Sequence, residues 1–172
     1  MTAQQPANTR AANTRAANTR VADALAAAGA HEAAAGVRRL DESTHTAAAA
    51  AAVLGVPVGA IVKSLVFTAD GEPLLVLASG DHLVDTGKVA AALGAAEVRR
   101  ADPETVRAAS GFAIGGVAPV GHPAPLRTVV DTHLATFGQL WAAAGTPDSI
   151  FPIDYDELLR VTAGIALDVA AT

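Results

Sequence analysis

The chain has 172 residues, of which 51% are hydrophobic and 3% aromatic, and its formal net charge is −5. This length indicates a single domain, and the scarcity of aromatic residues argues against a module that stacks several bases on aromatic side chains. The negative charge argues against tight sequence-independent binding to DNA or long RNA, and the absence of cysteine excludes disulfides, thiol nucleophiles and cysteine-bound zinc.

A five-residue repeat, NTRAANTRAANTR, lies near the start of the chain. Five is the period of neither a helix nor a strand, and the repeat offers no large side chain to bury. We therefore predict that residues 1–20 form a flexible, low-complexity extension outside the fold, and that residues 21–172 form the domain. The alternative is that Arg10, Arg15 and Arg20 form an arm that contacts phosphates.

Two helices are predicted before any strand. Residues 21–35 are rich in alanine, the best helix former, and Gly36 follows them as a helix stop. A second helix is predicted over residues 46–54. Its candidate N-caps are Ser43, Thr44 and Thr46.

A β-hairpin follows these helices. Residues 60–68 are mostly apolar and β-branched, and residues 73–78 form a second apolar run. The turn sequence Asp70–Gly71 lies between the two runs, and this arrangement is typical of two antiparallel strands.

The remaining predicted elements are short and mixed. Helices are predicted at 86–93, 103–109 and 155–161, and strands at 97–100, 126–131, 137–142, 149–153 and 165–169. The order shows no regular βαβ alternation. It favours an α+β fold, a single compact domain with a mixed, mostly antiparallel twisted sheet flanked by helices.

Lys63 is the most informative candidate residue, because it interrupts the apolar strand IVKSLVF and is one of only two lysines. Strand alternation places Lys63 and Ser64 on opposite faces. An ammonium group in such a strand is either an ordinary solvated side chain or a cation in a polar cleft. In the second case it would anchor a phosphate or a carbonyl oxygen.

A second candidate is the loop GGVAPVG at residues 115–121. Glycine allows a ligand to approach the main chain, and proline stiffens a loop. Taken alone, the pattern is more typical of a simple turn than of a binding loop. It lacks the spacings of the known nucleotide-phosphate loops.

The five histidines do not indicate a metal centre, because none forms an H-x-x-x-H or H-E-x-x-H pair. The pairs Asp81–His82 and Asp131–x–His133 are interpreted as surface polar groups. No serine lies in a G-x-S-x-G motif, which disfavours a serine hydrolase. We expect neither a metal nor a cofactor.

Taken in order, several motifs resemble the YbaK/prolyl-tRNA editing domain family over roughly residues 36–170. They are the alanine-rich helix that starts at Thr46, the strand IVKSLVF, the loop FAIGGVAPVG, the strand TVVD and the closing helix DELL. The resemblance implies a compact α+β fold, no metal, and a free-standing deacylase. Such proteins hydrolyse the ester of an amino acid wrongly attached to tRNA, commonly the tRNA for proline.

The resemblance also implies roles for individual residues. Lys63 matches the family's essential lysine and Gly115 its functional loop glycine, so these two are the predicted catalytic residues. The predicted substrate-binding residues are Thr46, Ser64, Gly116, Pro119, Asp131, Ala143 and Gly145. We assign Lys63 to electrostatic anchoring, and the ribose hydroxyl beside the ester is expected to assist because no strong general base is evident.

Two departures from the family pattern leave the amino acid open. Cysteine-clearing members carry a serine and a basic G-G-K-R-G loop where this chain has Ala143 and then Gly145–Pro147. Alanine-clearing members tend to carry Lys-Asn where this chain has Lys63–Ser64. Two other functions also stay open: a non-catalytic binding or regulatory module on the same fold, and a hydrolase of small aminoacyl esters.

The expected partner is the acceptor end of a mischarged tRNA. Because the chain is acidic, we expect weak binding to tRNA unaided and delivery by an aminoacyl-tRNA synthetase or an elongation factor. No apolar run approaches the roughly 20 residues that span a bilayer, so we expect a cytoplasmic protein without membrane contact.

Overall fold

A computed structural model describes residues 7–41 and 44–171, which fold into one mixed sheet with helices packed against it. The helices are α1 (Ala7–Ala27), α2 (His31–Ala35), α3 (Ala47–Leu54), α4 (Thr86–Leu93), α5 (Pro103–Ser110) and α6 (Tyr155–Thr162). The strands are β1 (Arg38–Arg39), β2 (Ile61–Ala69), β3 (Glu72–Ser79), β4 (Val98–Arg100), β5 (Arg127–Asp131), β6 (Leu140–Ala143), β7 (Ser149–Ile153) and β8 (Ile165–Leu167).

Local capping explains where several helices begin and end. Thr46 is the N-cap of α3, and its hydroxyl accepts a hydrogen bond from the Ala49 N–H at 3.1 Å. Gly55 ends that helix in the left-handed conformation that glycine adopts without strain. Among the other predicted caps, Thr44 instead donates to the Pro147 carbonyl, and Ser43 lies outside the described residues.

The sheet confirms the predicted α+β class. Its strand order is β1-β7-β6-β2-β3-β5-β8, and β4 pairs separately with β2. The predicted hairpin is present, because β2 and β3 pair antiparallel from Val62↔Ser79 to Ala69↔Glu72. Parallel pairs also occur, between β2 and β6, between β3 and β5, and between β5 and β8.

One edge of β2 is shared by two strands that do not meet. At its start, Ile61 and Val62 pair with β6. At its end, Phe67–Ala69 pair with β4. The intervening residues 63–66 have no strand partner on this edge, and this interval is called the β2 gap below.

The N-terminal repeat is helical, so the prediction of an extension outside the fold is wrong for residues 7–20. The buried residues of α1 are Thr14, Ala17, Val21 and Leu25, whose spacings of three and four place them on one helix face. Alanine and arginine are good helix formers at any position, so the repeat can form a helix although its period of five does not match a helical turn. Residues 1–6 lie outside the described chain, and α1 runs without a break through the predicted domain boundary at residue 21.

Smaller differences concern the ends of elements. The single helix predicted over 21–35 is divided, since α1 ends at Ala27 and α2 starts at His31. The two-residue strand β1 was not predicted, because two arginines carry no strand pattern. Within the described ranges, none of the helices has the length and hydropathy needed to span a bilayer.

Candidate functional site

A cavity of about 520 Å³ lies at the β2 gap. All four gap residues line it, and strand β6, the start of α3 and the loops around Gly115 and Pro147 complete its wall. Its volume falls within the range of roughly 300–1,000 Å³ that is usual for small-ligand sites. The missing strand partner therefore leaves space for a ligand inside the sheet edge.

The charged side chains of the cavity wall are all basic. Lys63 and Arg100 line it together with His45, and no aspartate or glutamate belongs to the lining within the described residues. The chain as a whole carries a net charge of −5. The cavity is thus a local site for an anion or a developing negative charge.

Lys63 is held in a defined position. Its ammonium donates a hydrogen bond to the backbone carbonyl of His82, and the side chain is half-buried. Burial lowers the Lys63 pKa below its usual value of 10.5, and the nearby charge of Arg100 lowers it further. The Asp81 and Asp131 carboxylates act in the opposite direction. The anchored cation is therefore easier to deprotonate than a solvated lysine.

Asp131 organises the segment that carries the His82 carbonyl. Its side chain is fully buried. One carboxylate oxygen accepts from the Ser79 N–H at 3.0 Å and lies 2.7 Å from His82 Nδ1, while the other accepts from the His133 N–H at 3.0 Å. The interpretation of Asp131 as a surface group is therefore wrong. It joins residues 79–82 to the end of β5.

Replacing Asp131 by asparagine is expected to lower the free energy of unfolding by about 2 kcal/mol, because the new amide cannot accept all three hydrogen bonds and leaves a buried donor unpaired. Denaturant unfolding measures this change. Asp23→Asn is the matched control, since Asp23 is exposed on α1. Equal effects of the two substitutions would contradict the assigned role.

Two histidines and a carboxylate meet beside this network. Ligand atoms of Asp81, His82 and His133 lie within 4.8 Å of one another. The two imidazole rings, however, are stacked with centroids 4.3 Å apart and only 25° between their planes. A metal binds in the plane of each imidazole, and an ion between two nearly parallel rings would lie outside both planes. We therefore interpret the cluster as a hydrogen-bonded support for Lys63.

Glycines shape another part of the cavity wall. Gly115 has a φ of +88°, where a side chain is strained, and it lines the cavity. A Cβ on Gly116 would lie 2.7 Å from Thr146 Cα and 2.9 Å from the Gly145 oxygen. The two loops therefore touch through their main chains, and no side chain fits between them.

Five of the nine predicted site residues share the cavity wall: Thr46, Lys63, Ser64, Gly115 and Ala143. The hydroxyl of Ser64 is buried without a hydrogen-bond partner among the described residues. Gly116, Asp131 and Gly145 do not belong to the cavity lining. Pro119 lies in a separate surface cavity of about 580 Å³.

Arg100 and Trp141 are two cavity residues that were not predicted from sequence. Arg100 reaches it because β4 pairs with β2, with Arg100 opposite Phe67. Trp141 reaches it from β6, and the Arg38 guanidinium lies 5.3 Å from its ring centroid. The available sequence signals were the adjacent pair Arg99–Arg100 and the single tryptophan of the chain.

A family model for the aminoacyl-tRNA editing domain matches residues 41–161. The chain is also 41% identical over 90 residues to the proline–tRNA ligase of Nitratidesulfovibrio vulgaris. That match covers 52% of this chain and 16% of the ligase, so the chain corresponds to a small part of a much longer relative.

Solved structures with the same fold cover nearly the whole domain. One is a protein proposed as a trans-editing enzyme for prolyl tRNA synthetase. It has a TM-score of 0.85 and 41% identity, covering 91% of this chain and 98% of that one. Another, a hypothetical protein, has a TM-score of 0.80 and 27% identity, covering 88% of this chain and 99% of that one.

Proposed function

Because this chain belongs to the family of aminoacyl-tRNA editing domains, we propose that it hydrolyses the ester bond of mischarged aminoacyl-tRNA in the cavity at the β2 gap. The family and the similar trans-editing structure support aminoacyl-tRNA deacylase activity. The similarity to proline–tRNA ligase favours a mischarged tRNA for proline as the substrate. The reaction takes place in the cytoplasm, where aminoacyl-tRNAs are used.

The observation that carries this proposal is the basic lining of a cavity in an acidic chain. The 3′ end of an aminoacyl-tRNA combines a phosphate with an ester whose carbonyl oxygen becomes negative during hydrolysis. Lys63 and Arg100 supply two positive charges at such a ligand, and no lining carboxylate among the described residues opposes them.

In the proposed reaction, water attacks the ester carbonyl, and the 3′ oxygen of the tRNA leaves with a proton. Lys63 stabilises the charge on the carbonyl oxygen or holds the neighbouring phosphate in place. The main chain at Gly115 contacts the α-amino group or the attacking water. Since the described lining offers no carboxylate as a general base, the adjacent ribose hydroxyl assists proton transfer.

A panel of tRNAs for proline, charged with proline or with alanine, serine, threonine or cysteine, tests this function. We expect faster deacylation of at least one mischarged member than of the proline form. Binding without hydrolysis of any member would identify a non-catalytic module instead. Equal hydrolysis of a free aminoacyl ester would identify a small-ester hydrolase.

Delivery by a partner is a separate part of the proposal. The unaided chain is expected to bind tRNA weakly, with affinity that falls as salt rises, because few basic groups surround the cavity. An aminoacyl-tRNA synthetase or an elongation factor would then raise the deacylation rate at low tRNA concentration. Tight, salt-insensitive binding to bare tRNA would contradict this requirement.

The charge of Arg100 gives the reaction a distinctive pH dependence. If the ammonium form of Lys63 is the active one, deacylation falls as pH rises through its lowered pKa. Arg100→Gln removes a neighbouring positive charge, so the Lys63 pKa rises and the alkaline fall moves to higher pH. Rates are measured across pH after subtraction of uncatalysed ester hydrolysis.

Arg99→Gln is the control for this measurement, because the adjacent Arg99 does not line the cavity and its guanidinium pairs with Glu97 at 2.6 Å. This variant should keep the parent pH profile. A shift of equal size in both variants, or a downward shift in Arg100→Gln, would remove the electrostatic link between Arg100 and Lys63.

A further inference from the structure

We propose that helix α1 holds two loops of the cavity in their working positions, and that Asn18 and Arg20 are the positioning residues that do so. The first loop, residues 111–117, is called the glycine loop. The second, residues 143–147, is called the alanine loop. The effect on catalysis rests on the proposed deacylase function, whereas the effect on the loops does not.

Both loops supply part of the cavity wall but contain little regular structure. Ile114, Gly115 and Val117 line the cavity from the glycine loop. Ala143 and Pro147 line it from the alanine loop. Their distance from Lys63 therefore depends on what packs behind them, because only Ala143 belongs to a strand.

The loops meet where Gly116 contacts Gly145 and Thr146, and α1 covers this junction. A Cβ on Gly145 would lie 2.9 Å from Ala17 Cβ and 2.9 Å from Phe112 Cε1. Gly145 is therefore enclosed between α1 and the aromatic ring of the glycine loop. This close approach requires both the absence of a side chain at Gly145 and the small side chain at Ala17.

Polar contacts from α1 reach each loop separately. Asn18 Nδ2 donates to the Ala144 carbonyl of the alanine loop at 2.8 Å. Arg20 donates to the Gly111 carbonyl of the glycine loop at 3.5 Å, and its guanidinium lies 4.7 Å from the Phe112 ring centroid. A single helical turn thus contacts both loops, and its displacement would release both of them.

These contacts assign a structural role to the last copy of the N-terminal repeat. Arg20 was considered above as one of three arginines that contact phosphates, but its guanidinium is occupied by the glycine loop. Asn18 and Arg20 belong to the last copy of the repeat. Asn13 and Arg15 are their equivalents in the preceding copy, and neither makes a hydrogen bond to the two loops among the described residues.

The repeat therefore contains its own control. The double variant Asn18→Ala/Arg20→Ala is compared with Asn13→Ala/Arg15→Ala, which removes the same side chains and the same charge from the same helix. Three quantities are measured in each full-length chain: thermal unfolding, hydrogen exchange of individual amides, and kcat and KM for the best mischarged tRNA.

We expect Asn18→Ala/Arg20→Ala to raise amide exchange at residues 111–117 and 143–146 about tenfold, in line with the loss of roughly one net hydrogen bond per loop. Its kcat/KM should fall about tenfold through kcat, and amides in β3 and β5 should keep their protection. The Asn13→Ala/Arg15→Ala variant should match the parent in all three measurements.

Other outcomes overturn the proposal. Equal exchange in the two double variants would show that α1 does not hold the loops. Faster loop exchange with unchanged kcat/KM would show that the held position is irrelevant to catalysis. A uniform rise in exchange over the whole chain would indicate a general stability role. If the parent deacylates no tRNA, the proposed function fails, but the loop exchange still tests the role of α1.

Discussion

Lys63→Ala is expected to lower deacylation of mischarged tRNA by a factor of about 100 to 1,000, the usual effect of removing one preorganised charge-stabilising group. The fold should persist, because Lys63 is half-buried at a cavity wall and its one hydrogen bond is to the His82 carbonyl. Single-turnover kinetics give the rate, and circular dichroism with thermal unfolding verifies the fold.

The chain's other lysine provides the control. Lys88 lies on α4, donates to Asp168 at 2.6 Å, and is absent from the cavity wall. Lys88→Ala should leave the deacylation rate unchanged and alter stability by less than about 1 kcal/mol, as is usual for surface ion pairs. Parent-level activity in Lys63→Ala would contradict the proposed mechanism.

Gly116→Ala is expected to abolish most of the deacylase activity, because the added methyl group has no space. The added methyl group would lie 2.7 Å from Thr146 Cα, so one of the two loops has to move. Such overpacking costs about 1–3 kcal/mol of stability. It also displaces the main chain of the loop that carries Gly115 into the cavity wall. We expect a lower midpoint of unfolding together with at least a tenfold loss of kcat/KM.

Gly138→Ala separates this steric effect from the general cost of replacing glycine. Gly138 is exposed, its φ is not positive, and an added Cβ would meet nothing within 4 Å. This variant should retain the stability and activity of the parent. If Gly116→Ala behaves in the same way, the two loops are not in the contact described here.

The elements predicted correctly from sequence are those whose boundaries are determined locally. The Asp70–Gly71 turn predicts the β2–β3 hairpin, and Thr46 and Gly55 predict both ends of α3. The repeat part of α1 was harder, because its inward residues Thr14 and Ala17 are small and no hydrophobic pattern distinguishes them from the exposed ones.

The candidate site was only partly accessible from sequence, because it depends on contacts between distant segments. Lys63 and Gly115 were found, but only a resemblance to a family connected them. Arg100 reaches the same cavity through pairing of β4 with β2. Asp131 and His82 are 49 positions apart, and nothing in their local sequences indicates that they meet.

The β2 gap also affects which molecules can pair with the main chain there. An open strand edge usually invites another protein's strand and promotes self-association. Here the open stretch is only residues 63–65, because the Val66 carbonyl accepts from the Ala101 N–H at 3.2 Å, and β6 and β4 flank it on either side. A full strand from another molecule is too long to enter between these flanks. An extended group of one or two residues, the size of a single amino acid on its carrier, can fit.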